Sequence, residues 1–252
     1  MDRADMNGVR TALFALIFYP GSAIFAILGM LAAPFSERVV QRIAYGWAAF
    51  HRACAAHILR IRVVLEGERP AGQVIYALRH ESFFEAIELP RLLGNNPVPF
   101  AKAELSRIPF WGRAARAYGM VFVERTQGAT ALRTMAKAAR EYKKTGRDFA
   151  IFPEGTRVPV GTAPPLRSGF AGIYKLMNLP VVPVAVDSGH VYRTKPKRSG
   201  TITYRFGEVI PPGLDRAEVE ARVHAAINAL NPQDQRVGVS PSSSSLPGLP
   251  DR

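Results

Sequence analysis

Val74-Ile75-Tyr76-Ala77-Leu78-Arg79-His80-Glu81-Ser82-Phe83-Phe84-Glu85 is the stretch that decides the fold. A short apolar, β-rich run stops at a polar cluster, and a helical pattern, Phe83–Leu93, begins almost at once. A strand that feeds a helix this directly is the unit of an α/β domain. Outward from it the alternation repeats. Further strands are expected at Ile61–Glu66, Val98–Ala101, Met120–Val123, Asp148–Phe152, Val181–Val186 and Thr201–Phe206. Further helices are expected at Leu105–Tyr118, Ala129–Lys144, Gly169–Met177 and Arg216–Leu230. The expectation is a single mixed β-sheet flanked by helices over residues 58–236, followed at 237–252 by a disordered tail rich in Ser, Pro and Gly.

Residues 1–57 read differently. No charge interrupts Thr11–Ser36, a run long enough for a bilayer, which needs about 20 apolar residues. Pro20-Gly21 falls in its middle and is expected to divide it into Thr11–Tyr19 and Ser22–Ala33, a helical hairpin set shallowly in a membrane; a single span and a buried core helix are the alternatives. From Glu37 to Arg60, Val40, Ile43, Ala44, Trp47 and Phe50 recur at helical spacing with arginines between them. That pattern suits a membrane interface or the flank of a core equally.

The formal net charge of +13 needs an anionic counterpart, and the apolar N-terminus makes it lipid rather than nucleic acid. Cys54 is the only cysteine, which excludes an intrachain disulfide and zinc sites built on Cys pairs. No Gly-x-x-x-x-Gly-Lys loop, Gly-x-Ser-x-Gly elbow or His-Glu-x-x-His pair is present, and the five histidines have no metal-ligand spacing.

The chemistry gathers at expected strand ends, where α/β sheets place their ligands. His80 and Glu85 are five residues apart, and a chain that turns from strand to helix between them can bring them together. A carboxylate on Nδ1–H would fix the tautomer and leave Nε2 as a base. Read alone, His80 is more often structural and Glu85 a solvated helix residue; Glu88, one turn on, is the spare acid. Phe152-Pro153-Glu154-Gly155-Thr156-Arg157 ends another strand with a hydroxyl and a guanidinium suited to a phosphate, or is a polar turn whose Glu154 and Arg157 pair. Glu124-Arg125 ends a third strand, and Lys102 and Glu104 follow a fourth.

Taken in order, His-x-x-x-x-acid, Gly-x-x-Phe-x-acid-Arg, Phe-Pro-Glu-Gly-Thr-Arg and Val-Pro-Val resemble the blocks of the glycerolipid acyltransferases, of the 1-acyl-sn-glycerol-3-phosphate acyltransferase type, over roughly Val74–Ser188. The resemblance implies that His80 is the general base on a glycerol hydroxyl and Glu85 its orienter. It implies that Arg125, Glu154, Gly155, Thr156 and Arg157 hold the glycerol phosphate, and that Lys102, Val182, Pro183 and Val184 lie near the acyl site. The donor would be acyl-CoA or acyl-acyl carrier protein, with no cofactor and no metal. The enzyme would work on the anionic lipid surface of a membrane, at the cytoplasmic face of the bacterial inner membrane. Another lysolipid acceptor, such as a lyso-ornithine lipid, and a non-catalytic lipid-binding relative are the alternatives. The chain departs from the family at two acids: Glu85 and Glu124 stand where Asp is usual. The cluster Arg193, Lys195, Lys197, Arg198 is a candidate docking patch for the acidic carrier, or a solvated loop.

Overall fold

The computed structural model describes residues 3–94, 96–124 and 129–232. Seven strands, β1 (Ile61–Glu66), β2 (Ile75–Leu78), β3 (Val98–Lys102), β4 (Val121–Val123), β5 (Phe149–Ile151), β6 (Val181–Val186) and β7 (Gly200–Phe206), form one sheet in the order β1-β7-β6-β2-β5-β3-β4. All neighbours are parallel except β6 and β7, so the expected single mixed sheet is what forms. The parallel block β6-β2-β5-β3-β4 carries all its carboxyl ends on one edge.

Strand alternation sends successive side chains to opposite faces and builds two cores. Tyr76, Leu78, Val182 and Val184 face one layer with Phe14, Phe18 and Ala55. Ile75, Ala77, Val181 and Phe149 face the other, with Phe170, Ile173, Val219 and Val223. Helices α1 (Arg3–Ala32), α2 (Glu37–His57) and α3 (Phe83–Leu92) therefore cover the first face. Helices α5 (Ala129–Lys143), α6 (Gly169–Met177) and α8 (Arg216–Ile227) cover the second, with α4 (Trp111–Tyr118) packed on α1 and a short α7 (Gly189–Tyr192) after β6.

Three expectations change. Pro20-Gly21 does not divide the N-terminal run: α1 passes through it as one helix. Pro20 forfeits one backbone bond on an exposed face, and Gly21 is the point where α1 meets α2, since a Cβ there would lie 2.4 Å from the Phe50 ring. The helical pair is α1 with α2, joined by a turn, closed by the Ser36 cap and tied by Trp47 Nε1–H donating to Ser22 Oγ at 2.9 Å. The expected helix Leu105–Tyr118 breaks at Pro109 into a 3-10 turn, Ala103–Arg107, and α4. α7 was not expected, because four residues are too few for a periodic signal. The tail 237–252 lies outside the described residues.

Candidate active site

The strand end of β2 delivers Arg79 and His80 to the carboxyl edge of the sheet, and the cap of α3 brings Glu85 back to them. Ser82 is the N-cap and Glu85 the third helical residue, so each satisfies the other: Ser82 Oγ accepts from Phe84 N–H at 3.1 Å, and Glu85 accepts from Ser82 N–H at 3.0 Å. Glu85 Oε2 then lies 3.2 Å from His80 Nδ1. The longer side chain suits this position because one carboxylate both closes the cap and reaches the imidazole. The Ser-x-x-Glu pattern was the signal in the sequence for that arrangement. Ser188, which sequence reasoning missed, donates its hydroxyl to Glu85 Oε1 and lies 2.8 Å from Ser82 Oγ. It follows β6 with no periodicity of its own, and only the pairing of β6 with β2 brings it there.

His80 is held at three points. Its ring bonds Glu85 and stacks on Phe152 at 4.1 Å between centroids. Its N–H donates to Glu154 Oε2 at 2.9 Å, and its carbonyl accepts from Val158 N–H at 2.7 Å. The ring still keeps 15% of its surface exposed, while Glu85 has none. Beneath it sits a buried network. Arg79 donates to Glu81 Oε1 at 2.8 Å, to Thr162 O at 2.8 Å, to Glu154 Oε1 at 3.4 Å and to Asn228 Oδ1. Glu81 also accepts from Gly189 N–H at 2.8 Å. Burial raises Glu154 to about 7, against the lowering effect of the His80 N–H and Arg79, with Glu81 and Glu85 adding to the rise. Burial likewise raises Glu81, which its bond to Arg79 opposes.

The second block surrounds this edge but divides in role. Glu154 points inward as a support for His80 and not outward toward a phosphate: a buried carboxylate under the backbone would repel that anion. Gly155 has φ +70°, and a Cβ there would come within 2.8 Å of Arg167 Cγ, so glycine is required twice over. Thr156 and Arg157 are exposed, and the Arg157 guanidinium lies 4.0 Å above the Phe83 ring. The same loop carries Val158, bonded to His80, which brings this rim against the imidazole. Arg125 lies outside the described residues. Lys102 is exposed and paired with Glu104 at 2.8 Å. Val182, Pro183 and Val184 are buried in the sheet, Val182 and Val184 fully so, and serve the core.

One further expectation is overturned. Glu88 is no spare orienter: it bonds His51 Nδ1 at 3.1 Å and Arg52 at 2.5 Å on the far side of α3. The basic cluster at 193–198 divides: Arg193, Lys195 and Arg198 are exposed, and Lys197 is half-buried. Lys197 Nζ lies 3.6 Å over the Tyr192 ring and donates to Tyr192 O at 2.6 Å, and Arg193 donates to Val158 O at 2.7 Å. Burial lowers Lys197 to about 8. Among the described residues no cluster of His, Cys, Asp and Glu could hold a metal ion.

A family model described as acyltransferase matches residues 60–187. The 1-acyl-sn-glycerol-3-phosphate acyltransferase of Pseudomonas aeruginosa is 27% identical, covering 93% of this chain and 96% of the relative. The human 1-acyl-sn-glycerol-3-phosphate acyltransferase beta is 29% identical over 91% and 84%. The crystal structure of the 1-acyl-sn-glycerophosphate acyltransferase of Thermotoga maritima superposes with a TM-score of 0.72 at 20% identity, covering 93% of this chain and all of that one. That likeness is one of fold.

Proposed function

The chain belongs to the acyltransferase family, and from that premise we propose that it transfers a fatty acyl group from an acyl thioester to the 2-hydroxyl of 1-acyl-sn-glycerol-3-phosphate, giving phosphatidic acid. The observation that carries the reading is His80 bonded through Nδ1 to the buried Glu85, at an exposed rim shared with Thr156 and Arg157. With Nδ1–H held by the carboxylate, Nε2 takes the proton of the acceptor hydroxyl as its oxygen attacks the thioester carbonyl. The tetrahedral intermediate then expels the thiolate, and Nε2 returns the proton to the sulfur. Glu85 stabilises the imidazolium between the two transfers. The thioester is already activated, so holding the hydroxyl and carbonyl in line supplies much of the rate.

Arg157 and Thr156 bind the phosphate of the acceptor, and Arg125 is proposed as a further phosphate ligand. A guanidinium offers the fork that a phosphate accepts in two bonds. The donor is acyl-CoA or acyl-acyl carrier protein.

The enzyme works at a membrane surface. Helix α1 is long and apolar enough to cross one, by length and composition. One side of it nevertheless packs on the domain, from the Thr11 hydroxyl, which accepts from Lys197 N–H at 2.9 Å, through Phe14 and Phe18 to Gly29. The nineteen residues from Thr11 to Gly29, tied along a water-facing domain, span about 27 Å. That supports a helix lying in the headgroup region, with Leu16, Ile24 and Leu31 toward lipid, over one that crosses.

Purified full-length enzyme with a panel of lysolipids and both donor types tests the reading. Phosphatidic acid should form, and Arg157→Ala should raise the KM for the phosphate acceptor at least tenfold. An unchanged KM would point to an acceptor without a phosphomonoester.

A further inference from the structure

We propose that the loop Leu105–Phe110 is a second membrane contact, which sets Leu105, Ile108 and Phe110 into the headgroup boundary of an anionic bilayer on the same edge of the sheet as His80. The inference deepens the membrane-surface reading above and rests on it.

The sequence makes this loop stiff. Pro109 stops the helix expected here, and the chain folds into two tight turns: Ile108 N–H donates to Leu105 O at 3.2 Å, and Trp111 N–H to Pro109 O at 2.6 Å. The second is a three-residue turn centred on Phe110, with φ 62° and ψ −54°. A side-chain-bearing residue rarely occupies that conformation, and backbone strain of this kind collects at functional sites. The two arms close on each other because residue 112 is glycine: a Cβ there would lie 2.1 Å from Ser106 O.

The product of this ordered, strained turn is exposure. Phe110 is 52% exposed, Ile108 45% and Leu105 36%. Lys102, Arg107 and Arg113 stand exposed around them, and the acid Glu104 is held by Lys102. Large apolar side chains ringed by cations are complementary to an anionic lipid surface.

Position completes the argument. Val98 of β3 and Ile75 of β2 both align with Phe149 of β5, all in parallel. Lys102 therefore comes level with Arg79, and the loop leaves the sheet at the edge that carries His80. The loop continues into α4, whose Ala114 lies against Gly29 of α1, with a Cβ at Gly29 meeting the Ala114 Cβ at 2.9 Å. Leu28 and Leu31, next to Gly29, are exposed. Exposed apolar residues of α1 thus neighbour the position where α1 meets the helix that the loop enters. A single helix on a bilayer leaves rotation about its axis free. A contact off that axis removes the freedom and sets the height of the His80 rim above the lipid.

A single-tryptophan chain, Trp47→Phe and Trp111→Phe with Phe110→Trp, tests the contact on vesicles of phosphatidylethanolamine and phosphatidylglycerol. The expected result is a blue-shifted emission, quenched by lipids brominated near the headgroup and protected from acrylamide. Emission and acrylamide access unchanged by vesicles would overturn the proposal, and this readout needs no activity. In parallel, Ile108→Glu with Phe110→Glu should lower turnover of vesicle-borne acceptor at least tenfold and leave turnover of a short-chain, monomerically dissolved acceptor unchanged. Equal loss on both acceptors, or no loss on either, would overturn it. A loss confined to acyl-carrier-protein donor, with acyl-CoA unaffected, would make the loop a carrier docking site instead. Wild-type enzyme with no acyl transfer to any lysolipid would sink the proposed reaction while the quenching result still judged the loop.

Discussion

Helix α3 carries two histidine–glutamate pairs one turn apart, and they differ in almost everything but composition. Glu85 meets His80 at the sheet edge, and Glu88 meets His51 of α2 inside the core. The buried pair is sealed. His51 has no exposed surface, its second nitrogen bonds Tyr192 Oη at 3.0 Å, and Phe14, Phe18 and Phe84 pack around its ring. Burial lowers its pKa, which the bond to Glu88 opposes. The edge pair spends one nitrogen of His80 on Glu85, and the ring keeps 15% of its surface exposed. An acid beside an imidazole therefore says little about catalysis; the second ring nitrogen decides, and whether it is occupied depends on the neighbouring elements.

The largest effect should come from His80→Ala, which should lower acyl transfer about 10³-fold, within the range of general-base catalysis, with the fold retained. Product analysis and thermal unfolding on the same preparation check both halves. Activity that survives would end the distinction between the pairs. Next, Glu85→Gln should cost about 100-fold in kcat with little change in KM, because an amide cannot stabilise the imidazolium. Glu88→Gln should do the opposite, leaving kcat near wild type and lowering stability by about 2–3 kcal/mol, since it removes a buried carboxylate that serves both His51 and the partly exposed Arg52. Denaturant titration measures that loss.

Ser188→Ala should be milder, about tenfold in kcat, as Glu85 keeps its bonds from Ser82. Rescue by Ser188→Thr would identify the hydroxyl as the active feature. The smallest effects are in the pH dependence of stability, where the two regions should slope oppositely. The His51 contribution is present above the unfolded value near 6.5 and lost as pH falls through the lower folded value. The Glu154 contribution is present below about 4.5 and lost as pH rises through about 7. His51→Phe and Glu154→Gln should each remove one slope, as read by unfolding midpoints from pH 4.5 to 8.

Much of this was legible in the chain. The strands after Ile61 were marked by short β-rich runs, and their mixed sheet formed within a residue or two of the expected bounds. His80 with Glu85 was legible because a strand and a helix follow in immediate succession, and such local geometry is carried by neighbouring residues. The inward place of Glu154 was not legible because its partner, the His80 N–H, is 74 positions away in the chain. Ser188 was missed for the same reason, across 103 positions. The break at Pro20-Gly21 was misread because a glycine that loosens an isolated helix can also be the place where two helices touch.

The sequence by itself determined the α/β alternation, the apolar N-terminus, the basic charge and the local meeting of His80 with Glu85. These follow from periodicity and from bonds that span a few residues. Only the tertiary structure decided which histidine stays open, which acids turn inward and which loop shows its apolar side chains. Those outcomes depend on burial, and burial depends on what distant elements cover: β6 bringing Ser188 to Glu85, α2 sealing His51 against α3, and α4 on α1 leaving Phe110 in the open.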